Sequence, residues 1–193
     1  MKAKASVYIT NQGITVNNKP FFSDIVFVDN ELPFNKIYKQ LDLNYPKYHK
    51  MDNLSKLGFL GVELLKREID LSQYGEDRIA QIFQNSYSSL DTDIVHQKSI
   101  NDKKMPSPAV FVYTLPNIVM GEIAIRNKLY GENLFTLVDK FSPQNWLELS
   151  NVQLALGKAD AIMGGWIDIF ENNFNLRLFL LDNSREGGLF EVK

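Results

Sequence analysis

Across 52–67 (DNLSKLGFLGVELLKR), apolar residues return every three or four positions: Leu54, Leu57, Leu60 with Gly61, then Leu64 and Leu65. That period predicts an amphipathic helix, with Asp52 or Asn53 as its cap. Gly58 and Gly61 lower its intrinsic propensity, so their better use is close packing on a sheet. The same period recurs at 115–129, through Ile118, Gly121/Glu122, Ile125 and Leu129, where Thr114 can cap and Pro116 suits the first turn. A third helix is predicted over 142–156: Ser142 caps it, Pro143 takes its first position and Gly157 stops it. Shorter apolar runs predict strands at 6–10, 14–16, 21–28, 78–84, 134–138, 159–169 and 176–181. Asn11 to Gly13 mark a turn, and Gly164-Gly165 mark a strand position that backbone or ligand approaches closely. Residues 30–50 read as a loop with a short helix at 34–40, and residues 85–106 as a polar, turn-rich segment. The Gly-rich stretch 183–193 reads as a tail. Helical and strand-like runs alternate through 107–168, the grammar of a layered α/β domain.

Composition narrows the function classes. The chain has 193 residues, a length suited to one domain over 1–193. A net charge of −2 without a long basic block argues against nucleic acid as a partner. No apolar run approaches the ~20 residues that span a bilayer, and the apolar part of the N-terminus is short for a secretory signal. The expectation is a cytoplasmic protein. There is no cysteine, which excludes disulfides, thiolate metal sites and a cysteine nucleophile.

Candidate chemistry is sparse. Asp91 and Asp93 form an acidic pair, but nothing near them in sequence completes a coordination shell. Neither His49 nor His96 has a ligand-type partner at helical spacing, so surface or packing roles suit both better than metal ligation. No metal and no cofactor are predicted. The one place that invites chemistry is the strand-to-helix junction Val138-Asp139-Lys140-Phe141-Ser142-Pro143. Ser142 there reads as a helix cap before it reads as a nucleophile.

Several stretches together carry a resemblance. They include Val7 to Thr10, Ser107-Pro108, Leu115-Pro116-Asn117, and Gly121-Glu122-Ile123-Ala124-Ile125-Arg126. Gly131-Glu132-Asn133, Leu156-Gly157-Lys158-Ala159-Asp160 and Gly164-Gly165 follow in order. In this sequence the chain resembles the N-terminal half of the β-ketoacyl-acyl-carrier-protein synthases, of the thiolase fold. The resemblance implies a three-layer α/β half of that fold. It implies a mixed, mostly parallel sheet of about five strands with helices on both faces.

In such synthases an acyl-accepting cysteine sits at the elbow between strand and helix, where the helix N-terminus lowers its pKa. It follows the Gly-x-Asn glycine by about nine residues and precedes the Leu-Gly-Lys glycine by about seventeen; counted from Gly131 and from Gly157, both spacings reach Lys140. Lys140 cannot serve as an acyl-accepting thiolate. The two histidines that the family uses belong to a C-terminal half beyond the matched motifs, and His49 and His96 fall outside those motifs. The chain therefore looks like a chain-length-factor subunit, closest to the short synthase-like proteins of aryl-polyene and flexirubin-type pigment systems. By itself such a chain is expected not to catalyse the condensation.

The implied partner is an active ketosynthase, with an acyl carrier protein also in reach, in a hetero- or homodimer. In this fold the strand before the elbow lies at the dimer axis, which makes Leu134, Phe135, Thr136, Leu137 and Val138 interface candidates. Phe111, Tyr113, Leu115 and Met120 are candidates for a tunnel floor or gate, and plain core is the competing reading for each. Two other functions stay open: acyl binding or transfer through Ser142, and a homodimeric assembly scaffold. The third helix offers one independent check. Gln144, Glu148, Asn151 and Ala155 share one side, whereas Trp146, Leu149, Val152/Gln153 and Leu156 share another. A partly polar face fits a helix whose second cover is missing or polar, and equally fits an ordinary surface helix.

Overall fold

The structure is a computed structural model that describes residues 2–22, 32–103, 106–183 and 190–192. Strands β1 (Lys2–Ala3), β2 (Ala5–Thr10), β3 (Gly13–Val16) and β4 (Lys19–Phe21) open the chain. Helix α1 (Phe34–Gln40) leads to α2 (Asn53–Leu65) and then to β5 (Ile79–Asn85). Next come α3 (Leu90–Lys103), α4 (Pro108–Val112), α5 (Ile118–Asn127) and β6 (Asn133–Leu137). Helix α6 (Pro143–Ala155) and strands β7 (Ala161–Phe170), β8 (Asn173–Asp182) and β9 (Phe190–Glu191) complete the order.

Seven strands form one sheet in the order β4-β3-β2-β8-β7-β5-β6, while β1 and β9 pair separately. The layered α/β class is as expected, with helices on both faces, but the sheet differs from the expectation of about five mostly parallel strands. Only β7–β5 and β5–β6 are parallel; the pairings β4–β3, β3–β2, β2–β8 and β8–β7 are antiparallel. For three of the four the cause is local: turns at Asn11-Gln12, at Asn17-Asn18 and at Glu171, the last two with positive φ, fold the chain straight back as hairpins. The fourth, β2–β8, joins strands from opposite ends of the sequence. Parallel pairing survives only where a helix carries the chain across the sheet.

One face of the sheet carries the larger core. Val7, Ile9, Leu176 and Leu178 meet Leu57, Leu60 and Leu64 of α2, with Val119 and Ile123 of α5 beside them. Gly58 and Gly61 allow this closeness: a Cβ on Gly61 would lie 2.2 Å from Leu176 Cδ2, and one on Gly58 would lie 2.4 Å from Val119 Cγ2. The opposite face carries a smaller core, in which Ala80, Ile82, Ile162, Phe179 and Leu181 pack on Trp146 and Leu154 of α6.

Three expectations need correction. The segment 85–106 holds a helix of fourteen residues, α3, begun by the favourable acidic pair Asp91 and Asp93 in its first turn. The helix expected over 115–129 is the shorter α5, and a separate short helix, α4, precedes it across a turn. Thr114 does not cap α5, which has no side-chain cap; its hydroxyl bonds back to the Phe111 carbonyl at 2.7 Å, while Ser107 caps α4, accepting from Val110 N–H at 3.4 Å. On α6 the buried stripe is Trp146, Ser150 and Leu154, leaving Val152 and Leu156 exposed. Part of the expected strand at 21–28 lies outside the described residues (23–28), as does most of the tail, whose end returns as β9.

Candidate functional site

Parallel pairing with β5 places β6 at the end of the sheet, and the chain leaves it through a bend at Asp139-Lys140. Phe141 then anchors the junction. Its ring lies 6.3 Å from Phe179 and 6.2 Å from Trp166, with the Arg177 guanidinium 6.0 Å from its centroid. The Ser142 hydroxyl accepts the Asn145 N–H at 3.3 Å, so it caps α6 as its sequence position predicts. Trp146 fastens the first turn to the sheet by donating its indole N–H to the Ile82 carbonyl at 2.8 Å.

The elbow therefore has a strand, a tight bend and a helix N-terminus, but no nucleophile paired to a base. Lys140 is exposed at the bend. Among the described residues, no carboxylate or imidazole hydrogen-bonds the Ser142 hydroxyl, and no group of three acidic or histidine side chains converges on one point. Asp91 accepts from Asn53 Nδ2 and from Glu171 N–H, each at 3.1 Å, so protein donors already occupy its carboxylate. His49 lies edge-on to Tyr38 and Tyr48, and His96 sits 5.6 Å from the ring of Phe111.

A groove of about 440 Å³ runs between β6 and α6, lined by Gln84, Thr136, Val138, Asn145, Glu148, Leu149 and Val152. Gln84 is buried there and donates to the Thr136 hydroxyl at 3.1 Å, while its amide oxygen has no partner. Sequence periodicity could not reveal Gln84, because it reads as one polar residue within a strand. The register explains it: Gln84 lies beside Thr136 on the α6 face.

The four tunnel candidates are spread over different surroundings. Phe111 on α4 is 62% exposed and Leu115 is 57% exposed. Tyr113 lines a separate cleft of about 230 Å³ with Asp52, Asp91, Val95 and Val110. Its hydroxyl donates to Glu122 at 3.0 Å; burial, then the Glu122 contact, pushes its pKa up. Glu122 is also ion-paired to Lys47 at 2.9 Å. Met120 lies in the core, where its carbonyl accepts from Gln81. The five interface candidates do share one place, the edge strand and the residue after it. Leu137 is 57% exposed there.

This arrangement of strands, elbow and helices matches solved structures. The ishigamide ketosynthase/chain length factor superposes with a TM-score of 0.72 at 15% identity, over 96% of this chain and 63% of that chain. The fold is that of ketosynthases and their chain length factors. Two further likenesses agree. The ketosynthase ApeO in complex with its chain length factor ApeC, from Xenorhabdus doucetiae, gives a TM-score of 0.54 at 14% identity, over 74% and 63% of the two chains. A type II polyketide-synthase acyl-carrier protein in complex with its ketosynthase, bound to the hexaketide, gives 0.68 at 10% identity, over 94% and 62%. This chain thus spans about 63% of the length of the first of these. No protein-family model and no curated protein matches the sequence. Among the described residues, no helix is long and apolar enough to cross a membrane.

Proposed function

We propose that the chain is a non-catalytic chain-length-factor-like subunit, one that pairs with an active ketosynthase and shapes the length of its acyl or polyketide product. The setting this reading favours is fatty-acid or polyene-pigment synthesis. The observation that carries it is the elbow. The fold keeps the strand, bend and capped helix that would activate a thiol, yet Lys140 stands where the resemblance puts the cysteine. Ser142 is committed to the Asn145 N–H.

The resemblance to chain-length-factor complexes supports a ketosynthase as partner, and the open edge of β6 supports Leu134 to Val138 as the meeting place. An edge strand carries unpaired backbone donors and acceptors, which favours strand addition. Phe111 and Leu115 are the gate residues that this reading keeps foremost, because their exposed side chains are free to contact a partner's tunnel. Tyr113 reaches a cleft wall, whereas Met120 works from the core.

The test is co-expression with a ketosynthase encoded alongside the chain, affinity capture, and size-exclusion chromatography with light scattering. A stoichiometric heterodimer is the expected outcome. A chain that the synthase never retains overturns the reading.

A further inference from the structure

The C-terminal ends of α2 and α5 lie beside the segment 70–76 that precedes β5, and a cavity of about 510 Å³ opens between them. It sits at the start of β5 and β6, the end of the sheet opposite the elbow. The backbone fixes its walls. Tyr130 N–H donates to the Glu76 carbonyl at 2.7 Å, and Lys128 closes α5 in the left-handed conformation, at a φ of 55°. Leu71 and Leu129, both buried, give the cavity its apolar lining.

Arg126 is the best-held cation of this cavity. Its Nε–H donates to the Glu63 carboxylate at 3.1 Å, and its guanidinium carbon lies 4.9 Å from the Tyr45 ring centroid and 6.0 Å from that of Phe59. Glu63 is buried and takes Lys66 Nζ at 3.1 Å on the same oxygen, so the charge of Arg126 is not fully cancelled. These contacts set the guanidinium plane yet use only Nε. Among the described residues, neither terminal nitrogen of Arg126 has an acceptor, and the side chain stays 28% exposed. A fixed guanidinium with its Nη edge free is a ready fork for two parallel bonds to an oxyanion. Lys128, exposed and without an ion pair among the described residues, adds a second positive charge to the wall. The acidic groups restrict the ligand. Asp70 spends its two oxygens on the Ser72 N–H and hydroxyl, at 2.9 and 2.8 Å, while Glu76 is exposed. With these charges also in the wall, a singly charged group is favoured over a phosphate dianion.

We propose that this cavity binds the carboxylate of a small organic acid. Arg126 is the fork that takes its two oxygens, Lys128 supports the charge, and Leu71 and Leu129 meet the apolar body of the ligand. Glu63 and Tyr45 are positioning residues, because they hold the guanidinium before the ligand arrives and so lower the cost of binding. The volume is in the range of small-molecule sites. The cavity shares no residue with the elbow or with β6, so the inference stands independently of the proposed function.

Titration of the full chain with benzoate, acetate and inorganic phosphate, at constant ionic strength and followed by amide NMR shifts, tests it. Benzoate is expected to bind more tightly than acetate, and phosphate more weakly than benzoate. The shifts are expected to gather at Asn127, Lys128 and Leu129. Arg126→Lys keeps the charge but not the fork, and is expected to weaken benzoate binding roughly tenfold. Lys128→Gln is expected to weaken it and Glu76→Gln to strengthen it. Both residues are exposed, so these two variants decide the matter if Arg126→Lys fails to fold. An unaltered chain that binds no benzoate overturns the inference, as do shifts scattered over the surface. Phosphate binding as tight as benzoate overturns the assignment to a carboxylate. Benzoate binding undiminished in Arg126→Lys, or indifferent to both Lys128→Gln and Glu76→Gln, overturns the site.

Discussion

Asp52 shows how much one side chain does at the start of α2. Its carboxylate accepts the Ser55 N–H at 2.9 Å and the Thr92 hydroxyl at 2.8 Å, tying α3 to the helix cap. Burial pushes its pKa above the usual 3.8; the bonds from Ser55 and Thr92 offset only part of that, and the charge of Asp91 adds to it. A carboxyl whose folded pKa is raised binds more protons in the native than in the unfolded state between the two values. Stability is therefore lost as pH rises through that window, and the cost of the ionised form is complete above it. Asp52→Asn keeps a capping oxygen and removes the titration. Relative to the unaltered chain, the variant is expected to gain stability as pH rises from below 3.8, then to hold a constant lead. Urea midpoints measured across that range check this, and parallel profiles would count against it. Gly164 is a second single-residue constraint. At its φ of +154° a Cβ would lie 1.9 Å from the Ile82 carbonyl oxygen, so the neighbouring strand itself blocks any side chain. Gly164→Ala is expected to cost more than about 4 kcal/mol, in the range reserved for backbone strain and core disruption. The chemical-denaturation midpoint reads it directly.

At the scale of elements, α6 is held to the sheet by a narrow stripe. Trp146 is fully buried and its indole bonds to the Ile82 carbonyl. Trp146→Phe retains much of the apolar contact but removes that hydrogen bond, an expected loss of about 0.5–1.5 kcal/mol. Trp146→Ala adds a cavity, for about 3–5 kcal/mol. If Trp146→Phe leaves stability unchanged, the hydrogen bond contributes nothing. The same helix shows what the sequence could and could not say. Ser142, Pro143 and Gly157 set its ends by local chemistry, so those ends were legible. Its buried side was not, because Val152 and Leu156 satisfy the apolar period as well as Leu154 does. Only the position of the sheet decides among them. The bend that holds Lys140 was legible as the junction between a strand and a capped helix. The later start of α5 was hidden because Thr114 and Pro116 imitate a helix start, and the antiparallel hairpins because short apolar runs carry no sign of strand direction. Asn85–Pro106 read as a loop for a similar reason: α3 is polar on most sides and leaves no strong apolar stripe.

At the scale of the whole molecule, the four gate candidates fall into two physical groups, and that split makes the proposed function testable by substitution. Met120 is 3% exposed and sits in the core, so Met120→Ala is expected to cost about 2–5 kcal/mol whatever the protein does. A change in product length with that variant would be confounded by lost structure. Phe111 leans on His96 and otherwise faces outward, so Phe111→Ala removes little packing and is expected to shift stability by less than about 1 kcal/mol. Any effect on the paired ketosynthase then comes from the surface the chain presents to it. Removing a bulky ring from a tunnel floor deepens the space for a growing chain. The co-purified pair carrying Phe111→Ala is therefore expected to release longer products at unchanged thermal stability. Mass spectrometry of the product pool gives the answer. An intact complex with an unaltered length distribution would take Phe111 out of the gate and leave Leu115 as the exposed residue to try.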